Sequence, residues 1–345
     1  MTQAHDTLFR WAFSDTPRVV CLLRSVLPGA LVAMVDWSAV EKVPVELLDK
    51  DLSEKRSDLV WALPMRGRPV TLHLILEHQS WEQRFMGLRI LDYARAVWQW
   101  WLSRNPRARR LPPVVGLVVS HDPDGWQSPT QLWDALDSDP ALEAVLGACL
   151  VDAGFLLEDL QKRGDRDIRS WDIDEVGKLT LLLLKHGRRS PDILSLLLAW
   201  RELFVWERVE DALPRLVWYL LVVREDATAQ QLHQVFSEML GKRAGEVVMT
   251  EAERLIAQGE ERGLQQGLQQ GLQQGLQQGL EKGVQQGLQP IFRQIEIRLQ
   301  RPLVDMERAR IVERLHEVGP DRLGEVTLVL SADELARWLA DPNAR

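Results

Sequence analysis

Residues 70–80 read VTLHLILEHQS. The apolar run of this stretch has the look of a buried strand, and it stops on a carboxylate and an amide two residues apart, Glu77 and Gln79. Upstream, residues 57–64 read SDLVWALP and 65–69 read MRGRP, a short extended segment followed by a turn signal with Gly67 and Pro69. A two-residue loop at Gly67-Arg68 sets the hairpin register. Leu59 then faces Leu76, Trp61 faces Leu74, and Leu63 faces Leu72, so that one face is apolar throughout. The other face carries Asp58, Val60, Ala62, Thr71, His73, Ile75, Glu77 and Gln79, while His78 points away. In this register Asp58 falls opposite Glu77. Two neighbouring carboxylates repel unless one is protonated or both hold a cation. The plain alternative is a hairpin with acidic residues at its solvent end.

Residues 80–104, SWEQRFMGLRILDYARAVWQWWLSR, are read as one amphipathic helix with Ser80 as N-cap and Glu82 and Gln83 in its first turn. Residues 111–120, LPPVVGLVVS, form a continuous apolar run. Strand, helix and strand in that order predict a central strand parallel to the one ending in Glu77. Upstream, residues 4–27 predict two helices separated at Ser14-Asp15-Thr16-Pro17, with Pro17 in the first turn of the second. The fold class expected is α/β: a mixed sheet flanked by helices, then a mainly helical region and a helical tail. By composition shifts, residues 1–125 are the α/β core and 126–250 a mainly helical extension, in which Leu150–Leu157 carries a weak strand signal. Residues 251–289 hold a repeat and 290–345 a C-terminal helical segment.

The chain has 345 residues, is 46% hydrophobic and 27% charged, and carries a net charge of −8, which argues against broad nonspecific binding to nucleic acid. The apolar runs are too short to span a bilayer, and no secretory leader is read at the start. Its two cysteines, Cys21 and Cys149, sit in apolar stretches without metal-ligand spacing, so a cytoplasmic location and no membrane partner are expected. Most of the 14 tryptophans, Trp98, Trp100, Trp101 and Trp218 among them, lie in helical patterns and read as packing residues.

An Asp on one strand and a Glu-x-polar pair on the next suits Mg²⁺, which takes one or two carboxylates and binds substrate phosphate. The stretches LVWAL and VTLHLILEHQSWEQRFMGLRILDYARAVWQWW resemble the PD-(D/E)XK nuclease core of the Rpn family, recombination-promoting nucleases also grouped as YhgA-like transposases. HDTLFRWAFSD at the start, LPPVVGLVVS, and MTEAERLIAQGEERGLQQGLQQG are similar to the same family, so the resemblance covers roughly residues 4–290. The tail from Arg301 to Pro342 resembles, more loosely, the DUF4351 segment. The resemblance implies a Mg²⁺-dependent DNA endonuclease linked to recombination or mobile elements, with Asp58 and Glu77 as metal ligands and Gln79 as the third catalytic position. Many such enzymes have Lys there. Gln orients water but cannot act as a base, and this opens the alternative of a degenerate nuclease fold that binds DNA or a protein partner. Asp6 either adds a carboxylate to the site or caps the first helix. Arg89 and Tyr93, one turn apart, either contact phosphate or are structural. His73 is read as a hydrogen-bonded strand histidine rather than a metal ligand. The run Arg104, Arg107, Arg109 and Arg110 either holds DNA backbone or is solvated at a helix end.

Glycines recur every four residues from Gly259 to Gly287, mostly as GLQQ. A period of four advances each Leu about 40° around a helix, so the stripe winds and does not suit a left-handed coiled coil. Each glycine weakens an isolated helix by up to about 1 kcal/mol. The tract is read as a spacer or self-association strip of a homo-oligomer, or as a product of repeat expansion.

Overall fold

The structure, a computed structural model, describes residues 2–44 and 59–341. Helices α1 (Thr2–Phe13) and α2 (Thr16–Val26) break where the sequence predicts. Asp15 caps α2 by accepting the Arg18 backbone N–H, and Pro17 occupies its first turn, where no N–H is needed. Strands β1 (Glu41–Val43), β2 (Leu59–Pro64) and β3 (Thr71–Gln79) follow. Helix α3 (Met86–Arg104) then leads to β4 (Val114–Ser120), and β5 (Phe155–Asp159) completes one sheet in the order β1-β2-β3-β4-β5. The pairs β1/β2 and β2/β3 are antiparallel, and β3/β4 and β4/β5 are parallel. The chain is therefore α/β with a mixed sheet.

The β2/β3 register matches the alternation of apolar residues: Leu59 pairs with Leu76, Trp61 with Leu74, and Leu63 with Leu72. The connection is looser than a two-residue turn. Met65 and Val70 are the last bonded pair, because Pro69 has no N–H to continue the ladder; Arg68 N–H closes a turn onto Met65 O, and Gly67 takes a φ of 66°. The register is unchanged, since both loops conserve the pairing.

Sheet alternation divides two apolar cores. Leu72, Leu74, Leu76, Leu117 and Val119 face α1, α4 (Glu175–His186) and α5 (Leu213–Val223). Val60, Ile75 and Val118 face Ile90, Tyr93 and Val97 of α3. Each fully buried Leu or Ile contributes roughly 1.5–3 kcal/mol, and β3, covered on both faces, draws on both cores. Helix α6 (Ala229–Leu240) opens with a Thr228/Gln231 capping box.

Two expectations are corrected. The helix after β3 begins at Met86 and not at Ser80. Residues 80–85 cross instead to the loop after β4: the Glu82 N–H donates to Asp122, and the Glu82 carboxylate accepts the Gln127 and Ser128 N–H groups. Groups that would have capped a helix are consumed by a tertiary contact. His73 packs edge-on against Trp100, and its buried Nδ1 has no hydrogen-bond partner among the described residues, so it is not a hydrogen-bonded strand histidine through that atom.

By contacts the chain forms two compact units, residues 1–256 and 257–345. Helix α7 (Lys242–Leu299) contains the whole glycine tract. In the second unit Leu288, Phe292, Ile295, Ile311, Leu323 and Trp338 form a core among α7, α8 (Asp305–Val329, broken at Gly319 with φ 80°) and α9 (Ala332–Ala340). Ser331 and Glu334 form the capping box that opens α9.

Gly116 of β4 shows how closely α3 approaches the sheet. A Cβ there would come within 2.8 Å of Ile90 Cδ1 and 2.9 Å of Cγ2. Gly116→Val is expected to cost about 1–3 kcal/mol of stability in urea unfolding. Adding Ile90→Ala should recover part of that cost, so the double variant is more stable than the sum of the singles predicts. Strict additivity would show that the two positions do not meet.

Candidate active site

Glu77 and Gln79 lie at the carboxyl ends of the parallel strands β3 and β4, the end at which open α/β sheets place ligands. Glu77 pairs with Val118 and Gln79 with Ser120 in the register there. Glu77 is completely buried on the α3 side of the sheet. Its Oε1 accepts from Arg89 Nη2 at 2.8 Å and from the Gln79 side-chain amide. Arg89 Nε donates to Tyr93 Oη at 2.7 Å, and its guanidinium lies 5.5 Å from that ring's centre. The structure thus joins Glu77, Gln79, Arg89 and Tyr93 in one chain of hydrogen bonds. Glu77 Oε2 is buried without a hydrogen-bond partner among the described residues. A buried carboxylate oxygen left unpaired costs several times what an ordinary hydrogen bond returns, and such an atom calls for a partner. Asp58, the other expected metal ligand, lies outside the described residues.

His78 points to the opposite face. Its ring stacks on Phe9 of α1 and on His121, which follows β4. His78 Nδ1 lies 2.8 Å from Asp6 Oδ1, so the Asp6 carboxylate accepts its N–H. Asp6 therefore sits across the sheet from Glu77, inside α1 rather than at its cap. His5 completes the cluster. Its Nε2 lies 3.1 Å from Arg188 Nη2 and its Nδ1 2.9 Å from Tyr219 Oη, which itself donates to Leu183 O. A guanidinium only donates, so Nε2 is the acceptor and Nδ1 carries the proton. Arg188 also bonds Ser80 O at 3.2 Å and covers the Trp81 ring at 4.0 Å. It thereby holds the end of β3 against the helical layer.

Burial, followed by the Arg188 charge, pulls the His5 pKa down to about 3. Burial and the neighbouring His78 and His5 hold His121 well below the ordinary imidazole range. Tyr219 is raised by burial. Sequence reasoning passed over Arg188 and Tyr219, which stand 183 and 214 residues from His5. No local pattern announces a partner at that separation.

Arg104 ends α3 and Arg107, Arg109 and Arg110 follow it, at the opposite end of that helix from Arg89, and they are not part of this site. Among the described residues no group of three or more His, Cys, Asp or Glu is arranged to hold a metal, and no helix is long and apolar enough to cross a membrane.

A mixed sheet, a buried Glu at a parallel strand end and a positioned polar neighbour define a class of site rather than a protein. The chain belongs to the family described as "Putative transposase, YhgA-like", which matches residues 3–212. It is 25% identical over 254 residues to recombination-promoting nuclease RpnD of Escherichia coli O157:H7, covering 73% of this chain and 93% of that protein. It is 27% identical over 196 residues to recombination-promoting nuclease RpnA of E. coli K12, covering 56% and 62%. It is also 26% identical over 263 residues to the inactive recombination-promoting nuclease-like protein RpnE of the same strain, covering 74% and 83%. No solved structure matches it.

The histidine cluster has a consequence for stability. The unfolded chain protonates His5 and His121 below about pH 6.5, while the folded chain does so only at much lower pH. Stability from this cluster is therefore complete above about 6.5 and lost as pH falls, by about 1.4 kcal/mol per pH unit for each imidazole. His121→Phe keeps the ring and removes the titration. Its urea midpoint should fall less between pH 7.5 and 5.5 than that of the unaltered protein. Equal pH dependence would show that His121 protonates freely in the fold.

Proposed function

We propose that this protein is a metal-dependent DNA endonuclease of the PD-(D/E)XK type that hydrolyses phosphodiester bonds in recombination or mobile-element processing. The observation that carries this reading is the buried Oε2 of Glu77, without a hydrogen-bond partner among the described residues, at the carboxyl end of a parallel strand. Names of relatives such as RpnD and RpnA support it. An orphaned carboxylate oxygen is a hard donor that suits Mg²⁺. Glu77 would hold the ion together with Asp58, the residue preceding Leu59 in the chain. Bound there, Mg²⁺ supplies positive charge at the scissile phosphate and acidifies water.

The chain's own groups divide the remaining work. Gln79 fixes the orientation of Glu77 through its amide and directs the attacking water, but it cannot accept the proton, which passes to a substrate phosphate oxygen or to solvent. Arg89, locked by Tyr93, places a guanidinium beside Glu77 and neutralises developing charge on the phosphate. A second reading has its own observation. Gln79 and Arg89 are both engaged with Glu77 Oε1, as they would be in a fold that has given up catalysis, and RpnE is named inactive. In that case the protein binds DNA or a partner without cutting.

Plasmid nicking separates the two. The unaltered protein should nick with Mg²⁺ and stop with chelator, and Glu77→Gln should lower the rate by about a hundredfold or more while its melting temperature stays near that of the unaltered protein. Nicking by Glu77→Gln at an undiminished rate would remove the reaction from this site.

Self-association belongs to the same proposal. Leu264, Leu268, Leu272 and Leu276 are 73–75% exposed along α7, and a Cβ at each glycine from Gly259 to Gly287 would meet nothing within 4 Å. A helix with eight such glycines, each costing up to about 1 kcal/mol, gains from a partner helix that covers the leucines. Deleting Gly263–Gln278 removes four whole repeats and should lower the mass seen by light scattering while nicking persists. An unchanged mass would leave the tract without an assembling role.

A further inference from the structure

A groove of about 620 Å³ opens at the end of the sheet away from Glu77. Trp101, Val70, Pro112 and Pro113 line it, and Arg109 and Arg110 stand on its rim. Thr71, at the start of β3, closes one side, and the His73 N–H bonded to Pro113 O ties its two walls together. Thr71 and Glu77 are six residues apart on one strand, about 20 Å at 3.3 Å per residue.

The charge around this groove is one-sided. Its lining is drawn from segments 64–72 (PMRGRPVTL) and 101–113 (WLSRNPRARRLPP), which carry Arg66, Arg68, Arg104, Arg107, Arg109 and Arg110 without one acidic residue, and of these Arg109 and Arg110 line the groove itself. This stands out on a chain whose net charge is −8. Arg104 is engaged with an aromatic face, its guanidinium lying 5.2 Å from the centre of the Trp100 ring, and Arg109 and Arg110 are exposed. Val70 and Leu111 leave over 40% of their surface in water. An apolar, aromatic floor under a rim of guanidinium groups is the arrangement that takes unstacked bases below and phosphates above. A duplex presents phosphates but keeps its bases stacked inside, so it gains nothing from the floor. An acidic peptide would use the rim alone.

We propose that this groove is an anchoring site for single-stranded DNA, with a base against Trp101 and flanking phosphates on Arg109 and Arg110. The proposal deepens the nuclease reading by naming the form of nucleic acid held near the cutting site, and it rests on that reading only for the choice of DNA. The groove and the Glu77 end of β3 are about 20 Å apart, a span of a few nucleotides. An enzyme so built engages frayed, gapped or overhanging DNA.

Binding is measured without cleavage, by fluorescence anisotropy of a labelled oligothymidylate in chelator, so that failure here does not depend on whether Glu77 cuts. Arg109→Ala/Arg110→Ala, at exposed positions, should weaken binding about tenfold and reduce the slope of log affinity against log salt by about 1.4, two phosphate contacts on a single strand. Trp101→Leu keeps an apolar side chain, tested by an unchanged circular dichroism spectrum, and should weaken binding about tenfold with little change in salt slope, the signature of lost stacking. Either variant binding as well as the unaltered protein overturns the proposal. So does a duplex of equal length, or polyglutamate, that competes as well as the single strand: the first would make the surface a general phosphate patch, the second a site for acidic protein. Loss of nicking in Glu77→Gln with oligothymidylate affinity unchanged is the expected combined result, and it keeps the two sites distinct.

Discussion

Strand β3 must satisfy two neighbours and two cores at once, and most of the architecture follows from that demand. It pairs antiparallel with β2 over Thr71–Leu76 and parallel with β4 over His73–Gln79, so the middle of the strand has ladder partners on both sides. Its even-numbered residues enter the core shared with α1, α4 and α5, and its odd-numbered residues enter the core under α3. A slip of one residue would exchange the two sets and put Glu77 where His78 stands. With Leu72, Leu74, Leu76 and Ile75 all buried, such a slip costs far more than the site at the strand end can return. Apolar packing therefore holds the polar residues at fixed positions.

The same alternation gives the two faces of the strand end different chemistry. On the α3 side a buried carboxylate is engaged by a guanidinium and an amide through one oxygen, and its other oxygen has no hydrogen-bond partner among the described residues. On the α1 side three imidazoles pack with ring centroids 4.9 Å apart, and two of them, His5 and His121, are held neutral by burial and by neighbouring positive groups. The histidines join α1 to β3 and β4, and Arg188 ties the loop after β3 to the same layer. Rigidity on one face thus supports the placement of Glu77 on the other, since adjacent residues of one strand cannot move independently.

Membership of the YhgA-like family fits this division of labour. Relatives at about a quarter identity include proteins named as nucleases and one named inactive, so the scaffold persists whether or not cutting does.

From the sequence alone, the period-2 pattern determined the β2/β3 register, the apolar run 111–120 announced a parallel neighbour, and the Ser14-Asp15-Thr16-Pro17 stretch marked a break between two helices. These signals are local: side-chain alternation and caps act within a few residues. Tertiary structure alone decided that Ser80–Phe85 is not helical, because Asp122 and the loop at Gln127-Ser128 claim the backbone and carboxylate of Glu82. It also decided that Asp6 serves His78 rather than the Glu77 side, and that Arg188 and Tyr219 close around His5. Hydrogen bonds between residues far apart in the chain form only once packing has brought their backbones together, and no spacing in the sequence encodes that meeting.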